Sequence, residues 1–140
     1  MKRTVAIKLK IPDNEAYTAL TALRRLGLSI ARLERAEIWQ LDDRGNASDV
    51  AQRVERNESL FNQNKHELHV LEAERPREGE VWIEQLDARD VPVRIAGVHH
   101  ARRYVGWRLF AEGHKPANRD AVRAAVEQLL CNPAIEKAVF

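Results

Sequence analysis

The first apolar residues of the chain alternate with polar ones. Val5, Ile7 and Leu9 are separated by single residues, so an extended chain places all three on one face. Pro12 interrupts this pattern, and the Asp13 carboxylate that follows is suited to cap a helix. The pattern predicts a half-buried strand that ends at Pro12.

The next segment has helical spacing. Its apolar residues recur three or four positions apart, at Ala16, Leu20, Leu23 and Leu26. Gly27 follows at the position where helices end in a left-handed conformation. The spacing therefore predicts a helix over 13–26.

The remainder of the first half contains three further predicted elements. Residues 29–41 are typical of extended structure, and residues 42–46 form a turn cluster. Ser48 or Asp49 can cap a second helix, and a strand is predicted around 66–72. The first half is thus predicted to run strand, helix, strand, helix, strand.

A charged segment, 73–79, is predicted to connect the two halves. The second half is predicted to contain strands near 80–86, 91–96 and 102–110, a helix between Asn118 and Pro133, and a strand over 136–140. Its segment 87–97 is too short for a counterpart of the first helix and carries Pro92.

The second half repeats part of the first. Residues 37–41 and 105–109 share a Trp-x-Leu motif at an offset of 68 residues, and Gly45 and Gly113 follow at the same offset. A second match places Asn57 on Asn132 at an offset of 75.

The predicted fold class is therefore α+β, with antiparallel sheets and two ferredoxin-like-style units. The first unit spans 1–72, and the second spans 80–140 and lacks its first helix.

Composition narrows the classes of function. The chain has 140 residues, is 44% hydrophobic and carries a net charge of +2, which is too balanced to favour nucleic acid as a partner. It has one cysteine, Cys131, and no apolar run of membrane-spanning length. We expect a cytoplasmic protein that has neither a disulfide nor a membrane segment.

Four segments resemble the PurS family, the small subunit of formylglycinamidine ribonucleotide synthase. Residues 125–136 contain a helix end followed by Asn-Pro-x-Ile-Glu, the pattern with which that family closes. Residues 7–12 resemble its first strand, 16–27 its first helix, and 102–109 its basic and aromatic second strand. The resemblance implies a tandem or divergent relative, because an ordinary family member is about half this length.

The resemblance implies an accessory subunit of an ATP-dependent amidotransferase rather than an enzyme. In the family, this subunit joins the glutaminase and synthetase subunits during purine synthesis, with no catalytic residue, cofactor or metal of its own. It also implies a homo-oligomer. The residues predicted to face a partner are Lys10, Arg102, Arg103, Tyr104 and Trp107.

Other chemistry is less favoured by the residues. His99 and His100 point to opposite faces of a strand, as do His66 and His69, so neither pair is expected to bind one metal. Cys131, at a helix C-terminus, is expected to be an inert thiol.

Two alternatives of other classes stay open. One is an ACT-like regulatory domain that binds a small ligand between repeats or subunits. The other is a small enzyme that uses His100, Arg102 and Arg103 on a phosphorylated substrate.

Overall fold

The structure is a computed structural model that describes residues 2–43, 47–87 and 93–140. Helices and one antiparallel sheet make it an α+β protein, as predicted. The elements are β1 (Lys2–Leu9), α1 (Asn14–Arg25), β2 (Arg32–Asp43), α2 (Ala47–Glu55), β3 (His66–Leu71), β4 (Glu80–Gln85), β5 (Val98–Phe110), a 3₁₀ turn (Glu112–His114), α3 (Arg119–Ala125) with a π-helical turn (Val126–Leu130), and β6 (Glu136–Val139).

All six strands belong to one continuous sheet in the order β3-β1-β2-β5-β4-β6. Each described pair of neighbouring strands is antiparallel. The first strand of each half, β1 or β4, lies at the centre of its own group of three. The two groups meet along β2 and β5, the two longest strands.

The helices cover one face of this sheet. Leu33, Trp39 and Leu41 alternate along β2 and point to that face. Leu33 packs in a cluster with α1, α3 and the π-helical turn, whereas Trp39 and Leu41 pack with α2. None of the described helices is long and apolar enough to cross a membrane.

The α1 helix forms where the spacing predicts it. The Asp13 carboxylate accepts hydrogen bonds from the backbone N–H groups of Glu15 and Ala16, at 3.0 and 3.2 Å. These bonds satisfy two of the donors left free at a helix start. At the other end, Gly27 has a φ of +92°, in the left-handed region that favours glycine.

Two predictions of local structure are wrong in detail. The α2 helix begins at Ala47, so Ser48 and Asp49 lie in its first turn instead of preceding it as caps. The strand predicted at 91–96 is not formed at 93–96, where Ile95 is buried and packs against the cluster under α2. Ile95 of the second half therefore packs into the core between α2 and the strands of the first half. Gly45 of the repeat and Pro92 of segment 87–97 lie outside the described residues.

The opposite face of the sheet, here called the open face, is crossed by the connector. The side-chain amide of Gln40 donates a hydrogen bond to the Glu74 carbonyl oxygen at 2.8 Å, so the connector passes over β2. Ile38, Trp82 and Tyr104 form an apolar cluster on this face and are at most 5% exposed. The segment between the halves is therefore packed against the sheet rather than extended away from it.

Candidate protein interface

The ladder between β2 and β5, here called the seam, has an internal two-fold relationship. Its register places Glu37 opposite Val105, and these residues are 68 positions apart in the chain. On either side, Trp39 lies opposite Arg103 and Arg35 lies opposite Trp107. The value 68 is also the offset of the Trp-x-Leu repeat. The residue opposite Trp39 is therefore the repeat counterpart of Arg35, and the residue opposite Arg35 is the repeat counterpart of Trp39.

The outer strands follow the same relationship. Val5 of β1 pairs with Trp39, and Val81 of β4 pairs with Trp107. Repeat-related tryptophans therefore have corresponding valine neighbours on the central strand of each group.

The turn before the last strand is the same in both halves. The Asn62 and Asn132 carbonyl oxygens each accept hydrogen bonds from the N–H groups three and four residues ahead. Their side-chain oxygens each accept from the N–H two residues ahead, at 2.9 and 3.1 Å. Their own N–H groups donate to the His66 and Glu136 side chains.

In this turn the counterpart of Asn132 is therefore Asn62, five residues after the Asn57 that the sequence match aligned with it. Asn57 makes a similar turn, with Ser59 N–H donating to its side chain at 3.1 Å. However, it lies at the end of α2 and not immediately before β3. Asn57 and Asn132 each lie two residues after a helical segment, so the sequence match aligns the helix ends and not the turns before the last strands.

The predicted partner-facing residues are separated by the sheet. As expected from strand alternation, Arg102 and Tyr104 lie on the open face, whereas Arg103 and Trp107 lie on the helix face. Lys10 follows the end of β1, where its ammonium donates to the Gln63 carbonyl oxygen at 2.8 Å. The five residues do not form one continuous site.

Arg102 is engaged within the fold. Its guanidinium donates two hydrogen bonds to the Glu84 carboxylate, at 2.9 and 2.7 Å. The Glu84 side chain is only 2% exposed, so this bidentate pair neutralises a buried charge.

Tyr104 also faces inward. It is 5% exposed, and its hydroxyl donates to the Gln40 side-chain oxygen at 3.2 Å. Burial, with a smaller contribution from the Glu84 charge, raises the pKa of Tyr104 above its ordinary value. The phenol is thus a neutral packing residue.

Two further buried carboxylates are held in the same way. Asp43 accepts two hydrogen bonds from the Arg53 guanidinium, at 2.9 and 2.7 Å, and Glu80 accepts two from the Arg77 guanidinium, at 3.2 and 2.8 Å, and a third from the Arg77 backbone N–H at 3.0 Å. The hydrogen bond from each arginine to its carboxylate raises the arginine pKa. These pairs fix α2 to the end of β2 and the connector to the start of β4.

Arg103 and Trp107 remain accessible on the helix face. Arg103 forms a half-exposed ion pair with Glu37 at 3.3 Å, at the centre of the seam. Trp107 lies beside α1 and Leu129 in a groove of about 430 Å³, here called the α1 groove. Two of the five predicted residues, Arg103 and Trp107, are therefore accessible to a partner on the helix face of the sheet.

Exposed apolar side chains lie in and next to the α1 groove. Leu129, in its lining, is 42% exposed. Tyr17 on α1 and Leu26 at its C-terminal end are 73% and 49% exposed, and they line a neighbouring cavity that shares Thr18 and Ala22 with the groove. A contiguous apolar patch on a protein surface marks an interaction site. Helical periodicity alone did not reveal it, since the same spacing that predicts α1 includes Leu26 among its apolar positions.

The histidines and the cysteine do not form a second site. Within 2–43, 47–87 and 93–140, no group of three His, Cys, Asp or Glu side chains could hold a metal ion. Burial, followed by the nearby Glu136 charge, raises the pKa of the Cys131 thiol.

The geometry therefore defines an α+β protein with a two-fold seam and an apolar groove beside α1. A scan against protein-family models finds no match to the chain, and a search of curated proteins finds no significant relative.

Proposed function

We propose that this chain is a non-catalytic, PurS-like subunit that bridges the glutaminase and synthetase subunits of formylglycinamidine ribonucleotide synthase in the cytoplasm. The observation that carries the proposal is the seam, where Glu37 and Val105 mark a two-fold relationship at the repeat offset. A chain with two related units can take the place of a pair of identical subunits.

The engagement of the basic residues supports a structural role. Arg102 neutralises the buried Glu84, and Arg103 pairs with Glu37. On strand β5 these arginines face opposite sides of the sheet, so they cannot converge on one phosphorylated substrate. This geometry disfavours the small-enzyme alternative that relies on them.

The difference between the halves supplies two different surfaces. The first half presents α1, which forms the groove together with Trp107 and Leu129 of the second half, while the corresponding part of the second half, at 93–97, is a loop that inserts Ile95 into the core. Two unlike surfaces on one rigid sheet suit a subunit that holds two unlike partners. We assign the α1 groove to one of these partners.

Further self-association would use the sheet edges. Both outer strands, β3 and β6, have one side without a strand neighbour among the described residues. Val70 at one edge is 46% exposed, and Ile135 and Phe140 at the other are 54% and 39% exposed. Exposed edges with apolar side chains favour pairing between copies.

The test is reconstitution from purified components. The chain is mixed at micromolar concentration with the glutaminase and the synthetase of the same organism, and complexes are separated by size-exclusion chromatography. The proposal predicts that one assembly contains all three chains. Absence of binding to both partners would overturn it.

A pair of matched variants tests the assigned surface. Leu129→Ala removes an exposed apolar side chain from the α1 groove, and Tyr17→Ala removes one from the adjoining cavity on α1; each should weaken assembly. Ile11→Ala removes a similarly exposed apolar side chain from the segment between β1 and α1 and should leave assembly unchanged. A rise in melting temperature with an amino acid and no assembly would favour the ACT-like alternative instead.

A further inference from the structure

A second cavity lies on another part of the molecule, where the connector meets the start of α3. It has a volume of about 440 Å³, within the range of small-molecule sites. One wall is formed by connector residues 75–79, and the other by Ala117, Asn118, Arg119 and Val122. Nothing in the proposed bridging role uses this cavity.

The cavity has an excess of cationic side chains. Arg77 is already neutralised by Glu80 through two hydrogen bonds. Arg75 and Arg119 line the same cavity and are exposed, and neither forms an ion pair with any acidic side chain that the structure describes. Glu78 is the other carboxylate in the lining, so two unpaired guanidinium groups face one carboxylate.

The connector wall is held in place by backbone contacts. The Leu109 N–H donates to the Gly79 carbonyl oxygen, and the Ala117 N–H donates to the Leu109 carbonyl oxygen, both at 2.8 Å. Gly79 has a φ of +77°, and a Cβ there would lie 2.8 Å from the Leu109 carbonyl oxygen. The cavity is therefore formed before any ligand enters, which lowers the entropy cost of binding.

An apolar surface adjoins the arginines. Val122 is buried in the lining, and the Phe140 ring lies at the same cavity. The Arg123 guanidinium lies 5.4 Å from the centre of that ring and one helical turn after Arg119. Guanidinium groups match phosphate oxygens, and an aromatic ring favours a flat apolar group.

We propose that this cavity binds a small phosphorylated molecule with a flat apolar part, the class to which nucleoside phosphates belong. Arg75 and Arg119 hold the phosphate, and Phe140 and Val122 contact the flat part. This site is independent of the α1 groove, so ligand binding is expected in the isolated chain.

Isothermal titration calorimetry with adenosine monophosphate (AMP) tests the site. We expect saturable binding of AMP, displacement of AMP by inorganic phosphate, and no saturable binding of adenosine. The double variant Arg75→Ala/Arg119→Ala should weaken AMP binding about tenfold or more, since each loses charge-assisted hydrogen bonds. Arg25→Ala, which removes an exposed arginine from α1, should leave the affinity unchanged.

Three results would overturn the proposal. They are the absence of AMP binding up to about 1 mM, AMP binding that inorganic phosphate fails to displace, and equal affinity in the double variant and the unaltered chain. Circular dichroism of the double variant separates a lost site from a lost fold. Because the assay uses no partner subunit, its outcome is distinct from that of the reconstitution test.

Discussion

Glu37 and Val105 lie opposite each other at the centre of the ladder between β2 and β5, and they are also 68 residues apart in the chain. The same offset relates the two Trp-x-Leu segments. The sheet thus has a two-fold relationship about this pair, which is the relationship expected of two fused copies that pair through their second strands.

The seam leaves no room for a side chain at Gly106. A Cβ built there would lie 2.7 Å from Cγ1 of Ile38, which is itself the residue 68 positions earlier. Gly106→Ala should lower the free energy of unfolding by about 1–3 kcal/mol, because it overpacks a buried site. Urea denaturation measures this loss.

A double variant checks the cause. Ile38→Ala removes the clashing atoms, so Gly106→Ala should cost less in an Ile38→Ala background than in the unaltered chain. Equal costs in both backgrounds would show that Ile38 is not the obstacle.

Neighbouring arginines on β5 should differ in their effect on stability. Arg102→Ala leaves the buried Glu84 carboxylate without its bidentate partner and should destabilise the fold by about 3 kcal/mol. Arg103→Ala removes a half-exposed ion pair with Glu37 and should cost less than about 1 kcal/mol. Chemical denaturation measures the free energy of unfolding of both variants. Equal losses would contradict the different roles assigned to the two arginines.

The repeated asparagine turns should contribute equally. Asn62→Ala and Asn132→Ala each remove one hydrogen bond that a backbone N–H donates to the side-chain oxygen, and each should cost about 1 kcal/mol. Asn64→Ala, at an exposed position of the first turn, is the control and should be nearly neutral. A loss at only one of the two turns would argue against their equivalence.

Cys131 should react slowly with alkylating reagents. Its raised pKa lowers the thiolate fraction at pH 8, and the thiolate is the reactive form. Iodoacetamide labelling, followed by mass spectrometry from pH 7 to 10, should be slower than that of a peptide of residues 128–134 and should rise at higher pH. A pH profile that matches the peptide would contradict the raised pKa.

Local elements were predictable because their signals are contiguous. The α1 helix follows from Asp13 and an apolar spacing of three to four, and the alternation in β1 indicates its buried face. The α+β class followed from these elements. The repeated Trp-x-Leu motif at 37–41 and 105–109 is also recognisable from the sequence alone.

Non-local pairings were not predictable in the same way. Arg102 was interpreted as a partner-facing residue because nothing near it identifies Glu84, eighteen positions earlier, as its partner. The register of β2 with β5 likewise joins segments that are distant in the chain. The repeat offset of 68 residues equals the separation of Glu37 and Val105, which lie opposite each other in this register. The connector cavity needed the same long-range information, since it joins 75–79 to the start of α3.

The most direct test of the proposed bridging role is the stoichiometry of the reconstituted assembly. Native mass spectrometry of the chain mixed with the glutaminase and the synthetase measures how many copies of each are present. The account predicts an assembly of all three proteins in which one copy of this chain occupies the place of two ordinary PurS subunits. Two copies in that place, or no complex with either partner, would contradict it.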